Sequence, residues 1–125
     1  MRGILGFAAF AAALPISPAG AQFHGGTPLE QAAAAYGKCV YERARASKRS
    51  GASADTAIAS GFSLCKSGRK RALNATRSRM VGAGLPAASA KSTAQSMIDS
   101  GDRMMADSLR REFAGPQASD PGAPK

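Results

Sequence analysis

The chain has 125 residues, which suits one small domain, and its 17 Lys and Arg residues outnumber its 8 Asp and Glu residues, for a formal charge of +9. Residues 22–125 hold only 12 Leu, Ile, Val and Phe residues, so the composition excludes a large hydrophobic core and favours a domain that gains from a covalent cross-link.

Residues 1–21 show the three parts of a secretory signal peptide in order. Arg2 is positive, an apolar run of 14 residues extends from Gly3 to Ile16, and Ala19-Gly20-Ala21 supplies the small residues that precede cleavage. The apolar run is shorter than the roughly 20 residues of a transmembrane helix. We therefore expect a periplasmic or secreted protein that is not an integral membrane protein after cleavage.

Residues 22–26 are predicted to be a flexible lead-in to the first helix. Thr27 can cap that helix, Pro28 suits its first position, and Glu30 completes a capping box. The helix should run to about Arg49. Its apolar positions recur at helical spacing, and they are Leu29, Ala33, Tyr36, Val40 and Ala44.

A polar turn over residues 50–53 separates this helix from a second one, which Ser53 can cap. The second helix is predicted to run without interruption from about Ala54 to Arg79. Its apolar face comprises Ile58, Phe62, Cys65, Ala72 or Leu73, and Thr76.

The turn predicts which residues of the two helices face each other. An antiparallel hairpin centred near residue 52 pairs positions whose numbers sum to about 104, so Cys39 should face Cys65. The same register places Tyr36 opposite Gly68 and Val40 opposite Leu64.

In an oxidising compartment two facing cysteines indicate a disulfide. A redox-active pair is the alternative, because neighbouring positive charge lowers a thiol pKa, but the chain has no C-x-x-C motif.

Residues 81–86 are rich in Gly and are predicted to be a linker between the hairpin (27–80) and a third helix (87–113). This linker leaves open whether the third helix docks on the hairpin. Met97 and Met104 should widen the helix's apolar face, which comprises Ala94, Ile98, Gly101, Met105, Leu109 and Phe113.

Residues 114–125, with three prolines, should be a disordered tail. The predicted fold is all-α: a disulfide-linked antiparallel helical hairpin, a third C-terminal helix and a flexible tail.

The hairpin also carries a resemblance to known proteins. Residues 28–79 contain Tyr36-x-x-Cys39-Val40, a run of Ala and Arg, a short polar turn, and Cys65 followed by basic residues. This pattern resembles small exported proteobacterial proteins of unknown function that share an Ala-rich helical hairpin with two cysteines. The resemblance implies the hairpin and brings no catalytic residues with it.

Most of the positive charge lies in one segment, because residues 38–79 hold eleven basic and two acidic residues. For an exported protein the expected partners are anionic lipid, lipopolysaccharide or cell-wall polymer, and nucleic acid is not expected. The alternative is that the charge only keeps the helices solvated. The candidate anion-binding residues are Arg43, Arg45, Lys48, Arg49, Lys66, Arg69, Lys70, Arg71, Arg77 and Arg79.

Catalysis is not expected. His24 is the only histidine and lies in the lead-in, no G-x-S-x-G motif is present, and no close pair of acids is expected on one helical face in an apolar setting. We also expect no cofactor. The sequence therefore favours a non-enzymatic interaction protein of the cell envelope.

Two alternative functions remain. Cleavage after Ala21 would leave Gln22 at the N-terminus with His24 in third place, an arrangement that can bind Cu(II) or Ni(II) in a square plane. The small core and the methionines of the third helix instead favour a periplasmic stress or chaperone-like protein, by analogy with small, helical acid-stress chaperones that have one disulfide.

Overall fold

A computed structural model describes residues 26–115. Over this range the chain is helical and has no β-strand, which confirms the all-α prediction. The predicted signal peptide, residues 22–25 of the lead-in and residues 116–125 of the tail lie outside the described residues. The helices are α1 (Pro28–Arg49), α2 (Ala54–Leu64), α3 (Lys66–Gly82) and α4 (Ala87–Ala114).

The first two helices begin at the caps that the sequence predicts. The Thr27 amide donates to a Glu30 carboxylate oxygen at 2.8 Å, and the Glu30 amide donates to the Thr27 hydroxyl at 3.2 Å. Ser53 accepts from the Thr56 amide at 3.2 Å at the start of α2. Between the two helices, Gly51 adopts a φ of 98°, a conformation that glycine reaches without steric cost.

Helix α1 packs antiparallel against α2 and α3, and the predicted register holds at the disulfide. Cys39 and Cys65 are bonded, with their Cα atoms 6.0 Å apart. Gly68 lies against Tyr36, since a Cβ atom on Gly68 would be 3.5 Å from the Tyr36 Cα. The pairing of Val40 with Leu64 is wrong, because Leu64 is exposed. Val40 instead presents its carbonyl oxygen to Gly61, where the missing side chain allows the backbones to approach closely.

The prediction of one continuous second helix is also wrong, because Cys65 interrupts it. Cys65 has φ and ψ of −111° and 22°, and its amide donates to the Phe62 carbonyl at 3.2 Å. Helical bonding resumes when the Arg69 amide donates to the Cys65 carbonyl at 3.0 Å. The apolar positions Ile58, Cys65 and Ala72 stay in phase across this single irregular residue, so helical periodicity does not reveal it.

The predicted third helix is α4, and it docks on the hairpin to complete a helical bundle. It runs antiparallel to α3 and parallel to α1. The central cluster comprises Tyr36, Val40, Ala44, Ile58, Cys65, Ala72 and Leu109, with Ile98, Met105 and Phe113 of α4 packed against it. Met97 and Met104 do not widen this face as predicted, since they are 52% and 70% exposed.

The segment predicted as a linker is a tight turn. Helix α3 continues to Gly82, two residues into that segment, and α4 begins at Ala87 and extends to Ala114. Gly84 has a φ of 102°, its amide donates to the Val81 carbonyl, and the Leu85 amide donates to the Met80 carbonyl, each at 3.0 Å. These two bonds form a Schellman motif, which ends α3 and sends the chain back along it.

Candidate functional site

Helix α3 carries the densest positive charge of the structure. Its 17 residues include six Lys and Arg and no Asp or Glu. Five of the six cationic side chains belong to exposed residues, and these are Lys66, Lys70, Arg71, Arg77 and Arg79. None of these five forms an ion pair with a carboxylate of residues 26–115.

The sixth cation, Arg69, is used inside the bundle. Its Nε donates to Asp102 Oδ2 at 2.8 Å and its Nη2 donates to Asp99 Oδ1 at 2.6 Å. Both carboxylates belong to α4. The hydrogen bond to Asp102 is the main cause that raises the Arg69 pKa above its ordinary value. Arg69, predicted as an anion-binding residue, therefore links α3 to α4.

Asp102 also binds the buried Tyr36 of α1. The Tyr36 hydroxyl donates to Asp102 Oδ1 at 2.7 Å, and burial raises the Tyr36 pKa, with the Asp102 hydrogen bond adding to the effect. Gln95 donates to Asp99 Oδ1 at 3.0 Å. The network thus ties α1, α3 and α4 together through the space between them.

Sequence reasoning missed this network, since it expected no close acid pair on one helical face. Asp99 and Asp102 are three residues apart and share the face of α4 that meets α3. Their spacing beside the apolar positions Ile98 and Met105 was the available signal. The partner on α3 becomes known only when the two helices are placed together.

Arg45 is the second predicted anion-binding residue that the fold uses internally. Its Nε and Nη2 donate to the two Glu112 carboxylate oxygens at 2.7 and 3.0 Å, which lowers the Glu112 pKa. The guanidinium also lies 5.2 Å from the centre of the Tyr41 ring. This pair joins the C-terminal parts of α1 and α4.

Three predicted cations of α1 remain near the turn into α2. Arg43 and Arg49 are exposed and Lys48 is half-buried, and none of them pairs with a carboxylate in the part of the chain that the structure describes. They are separated from the α3 cations along the length of the hairpin. The ten predicted residues therefore divide into three cations near the first turn, five exposed cations of α3, and Arg45 and Arg69, which pair with carboxylates of α4.

The cysteines serve the fold. Cys65 is 1% exposed, both sulfur atoms are in the disulfide, and residues 26–115 contain no free cysteine. The described residues also contain no group of three His, Cys, Asp or Glu side chains that could hold a metal ion. Gln22 and His24, the predicted copper or nickel ligands, lie outside the described residues, so that hypothesis stays a prediction.

A cleft of about 300 Å³ opens between α1, α3 and α4, with mostly apolar walls. Its polar groups include the Asp102 carboxylate and the Thr76 hydroxyl. Thr76 donates to the Ala72 carbonyl at 2.8 Å, and Asp102 accepts from Tyr36 and Arg69, so both groups already have partners. The exposed Met97 also lines this cleft. It is one of the methionines of the third helix that favour the chaperone-like alternative, and that alternative stays a prediction.

The features that bear on function are therefore the acid-free cationic helix, the ion pairs that hold α4 in place, and the disulfide. Among residues 26–115, none of the helices combines the length and the apolar character needed to cross a bilayer. Comparison of the chain with protein-family models, with curated proteins and with solved structures gives no match.

Proposed function

We propose that this protein is a non-enzymatic component of the cell envelope that binds anionic envelope material through α3. The observation that carries the proposal is a continuous stretch without acids. From residue 56 to residue 98 the chain contains no Asp or Glu and seven Lys or Arg, of which only Arg69 pairs with a carboxylate of residues 26–115. A stretch that only needed solvation would carry charges of both signs, so its single sign favours an anionic partner.

The arrangement of the cations favours an extended partner. Lys66, Lys70 and Arg77 are four and seven residues apart, so they share one side of α3 over about 16 Å. Arg71 and Arg79 lie on other sides of the helix. The cations do not converge on one point as they would around a small anion, and they suit a charged surface or polymer.

Two observations support a location outside the cytoplasm. The predicted signal peptide sends the chain out of the cytoplasm, and the Cys39–Cys65 disulfide is of the kind that persists in oxidising compartments. In a periplasm or outside a cell the abundant polyanions are anionic lipid, lipopolysaccharide and cell-wall polymers. We therefore propose these as the partner class.

Binding can be measured by co-sedimentation with phosphatidylglycerol vesicles, lipopolysaccharide and a cell-wall polyanion, each at low and high salt. The test variant carries Lys66→Gln, Lys70→Gln and Arg77→Gln. It should bind about a hundredfold more weakly, since each cation at an anionic surface contributes about 1 kcal/mol. High salt should weaken wild-type binding through screening of the same charges.

The matched control carries Lys38→Gln, Arg103→Gln and Arg111→Gln, exposed cations of α1 and α4 whose loss changes the net charge equally. This control should keep most of the affinity. Absence of salt-sensitive binding to all three materials would overturn the proposal. Equal loss in both variants would show attraction by net charge alone, without a role for α3.

A further inference from the structure

We infer that the turn between α3 and α4 inserts into the head-group region of an anionic lipid bilayer, so that the partner of this protein is a membrane surface. We call residues 80–86 the apex. The inference rests on the proposed function and narrows its partner from anionic envelope material in general to lipid.

The apex exposes large apolar side chains at the end of a helical hairpin. Val81 is 46% exposed and Leu85 is 36% exposed, and residues 82–86 are all exposed. No polar side chain lies between Val81 and Leu85, where the sequence is Gly-Ala-Gly. An interfacial segment needs apolar groups that face outward, and the apex presents them.

The apex also projects from the bundle. Gly68 meets Tyr36, and α1 begins eight residues before Tyr36, so the start of α1 at Pro28 lies near the level of Thr76. From there to Gly82 helix α3 continues for six residues, or about 9 Å, beyond the start of α1. The apolar side chains of the apex can therefore reach a flat surface before the rest of the bundle meets it.

Three consecutive backbone amides of the apex have hydrogen-bond acceptors at the end of α3. The amides of Ala83, Gly84 and Leu85 donate to the carbonyls of Arg79, Val81 and Met80, each at 3.0 Å. Entry into a less polar medium is costly for amides without partners. These three bonds remove this cost for the amides of Ala83, Gly84 and Leu85.

Charge complementarity selects an anionic bilayer over a zwitterionic one. Arg77, Arg79 and Lys91 lie within two turns of the apex, all are exposed, and the nearest acids in sequence are Asp55 and Asp99. Long basic side chains beside apolar ones can reach lipid phosphates while the apolar groups enter the interface.

Another exposed apolar residue lacks this setting. Met104 is 70% exposed, but it borders a groove that Asp107 and Arg111 both line, so charges of both signs lie beside it. An anionic surface would therefore gain little net attraction there. At the apex, exposed apolar side chains lie beside cations that no carboxylate of residues 26–115 pairs with.

Tryptophan can report the insertion, because the chain has none. Leu85→Trp places a fluorophore at the apex, and Leu64→Trp places one at an exposed position of α2 as the matched control. With phosphatidylglycerol vesicles, the Leu85→Trp emission should shift to shorter wavelength and be quenched by brominated lipid. The Leu64→Trp emission should not change, and phosphatidylcholine vesicles should leave both unchanged.

A second pair of variants measures the contribution to affinity. Val81→Ser with Leu85→Ser should weaken partitioning into phosphatidylglycerol vesicles by about tenfold, given the apolar area exposed at the two positions. Leu64→Ser with Met104→Ser removes exposed apolar groups elsewhere and should bind like the wild type. Circular dichroism checks that every variant is folded.

The outcomes separate this inference from the proposed function. Vesicle binding in which Leu85→Trp stays in water and the double apex variant binds normally would overturn the inference and leave electrostatic binding by α3 intact. Binding to lipopolysaccharide or a cell-wall polyanion without binding to vesicles would do the same. Failure to bind any of these anionic materials would overturn both.

Discussion

Gly61 offers the sharpest test of how α1 and α2 pack. An alanine Cβ at this position would lie 2.8 Å from the Val40 carbonyl oxygen and 3.1 Å from the Ala44 Cβ. Both distances are shorter than ordinary contacts, and the nearest atom belongs to backbone, which cannot rotate away. Gly61→Ala should therefore force the two helices apart by several tenths of an ångström, although the disulfide holds them together one turn further along the chain.

The expected magnitude combines two opposing effects. Overpacking a close contact costs about 1–3 kcal/mol, and replacing glycine by alanine inside a helix returns about 1 kcal/mol. Because the obstacle is backbone, we expect Gly61→Ala to lower the free energy of unfolding by about 1–2 kcal/mol. Gly101→Ala is the matched control, since nothing apart from its two chain neighbours and the nearby backbone of α4 lies within 4 Å of its Cβ position, and it should raise that free energy by up to about 1 kcal/mol.

Urea unfolding followed by far-UV circular dichroism measures both variants, with the disulfide intact. A Gly61→Ala protein as stable as the wild type, beside a stabilised Gly101→Ala protein, would refute the close approach of α2 to α1. A Gly101→Ala protein that is destabilised would instead refute the open surroundings assigned to that part of α4.

Two further predictions concern stability. Replacing Cys39 and Cys65 by serine should lower the free energy of unfolding by about 3–4 kcal/mol, the value expected for closing a loop of 26 residues, and the urea midpoint of the oxidised wild type against the double variant measures it. Tyr36→Phe removes the hydrogen bond to Asp102 and should cost about 1 kcal/mol at pH 7. Because the Tyr36 pKa is raised in the folded state, its contribution is complete below the ordinary tyrosine pKa of about 10 and declines as the pH rises further. The stability difference between wild type and Tyr36→Phe should therefore narrow as the pH rises above about 10, and a constant difference would contradict the buried pairing.

Much of the fold could be predicted because its signals are local. The capping box at Thr27, the cap at Ser53 and the glycine of the first turn act within a few residues of their own position. The facing of Cys39 and Cys65 then follows from the turn and the helical rise. A short connection between two helices permits few registers, so counting from the turn was sufficient.

The register and helix continuity predicted in this way are wrong where one residue departs from ideal helical geometry. Cys65 interrupts the second arm, and the backbone of Val40 meets Gly61 where Leu64 was expected. Helical periodicity describes which side of a helix is apolar, and it does not describe how closely two backbones approach. That distance depends on the side chains of both helices together.

The sequence alone determines the all-α class, the starts of α1 and α2, the disulfide partners and the concentration of positive charge in one acid-free stretch, because these properties depend on neighbours along the chain. The tertiary structure decides which charges are free. Arg45 and Arg69 look like the other cations in the sequence, and only the docking of α4 supplies the carboxylates that bind them. Docking also leaves Val81 and Leu85 uncovered, since exposure is a property of the assembled helices and not of the residues themselves.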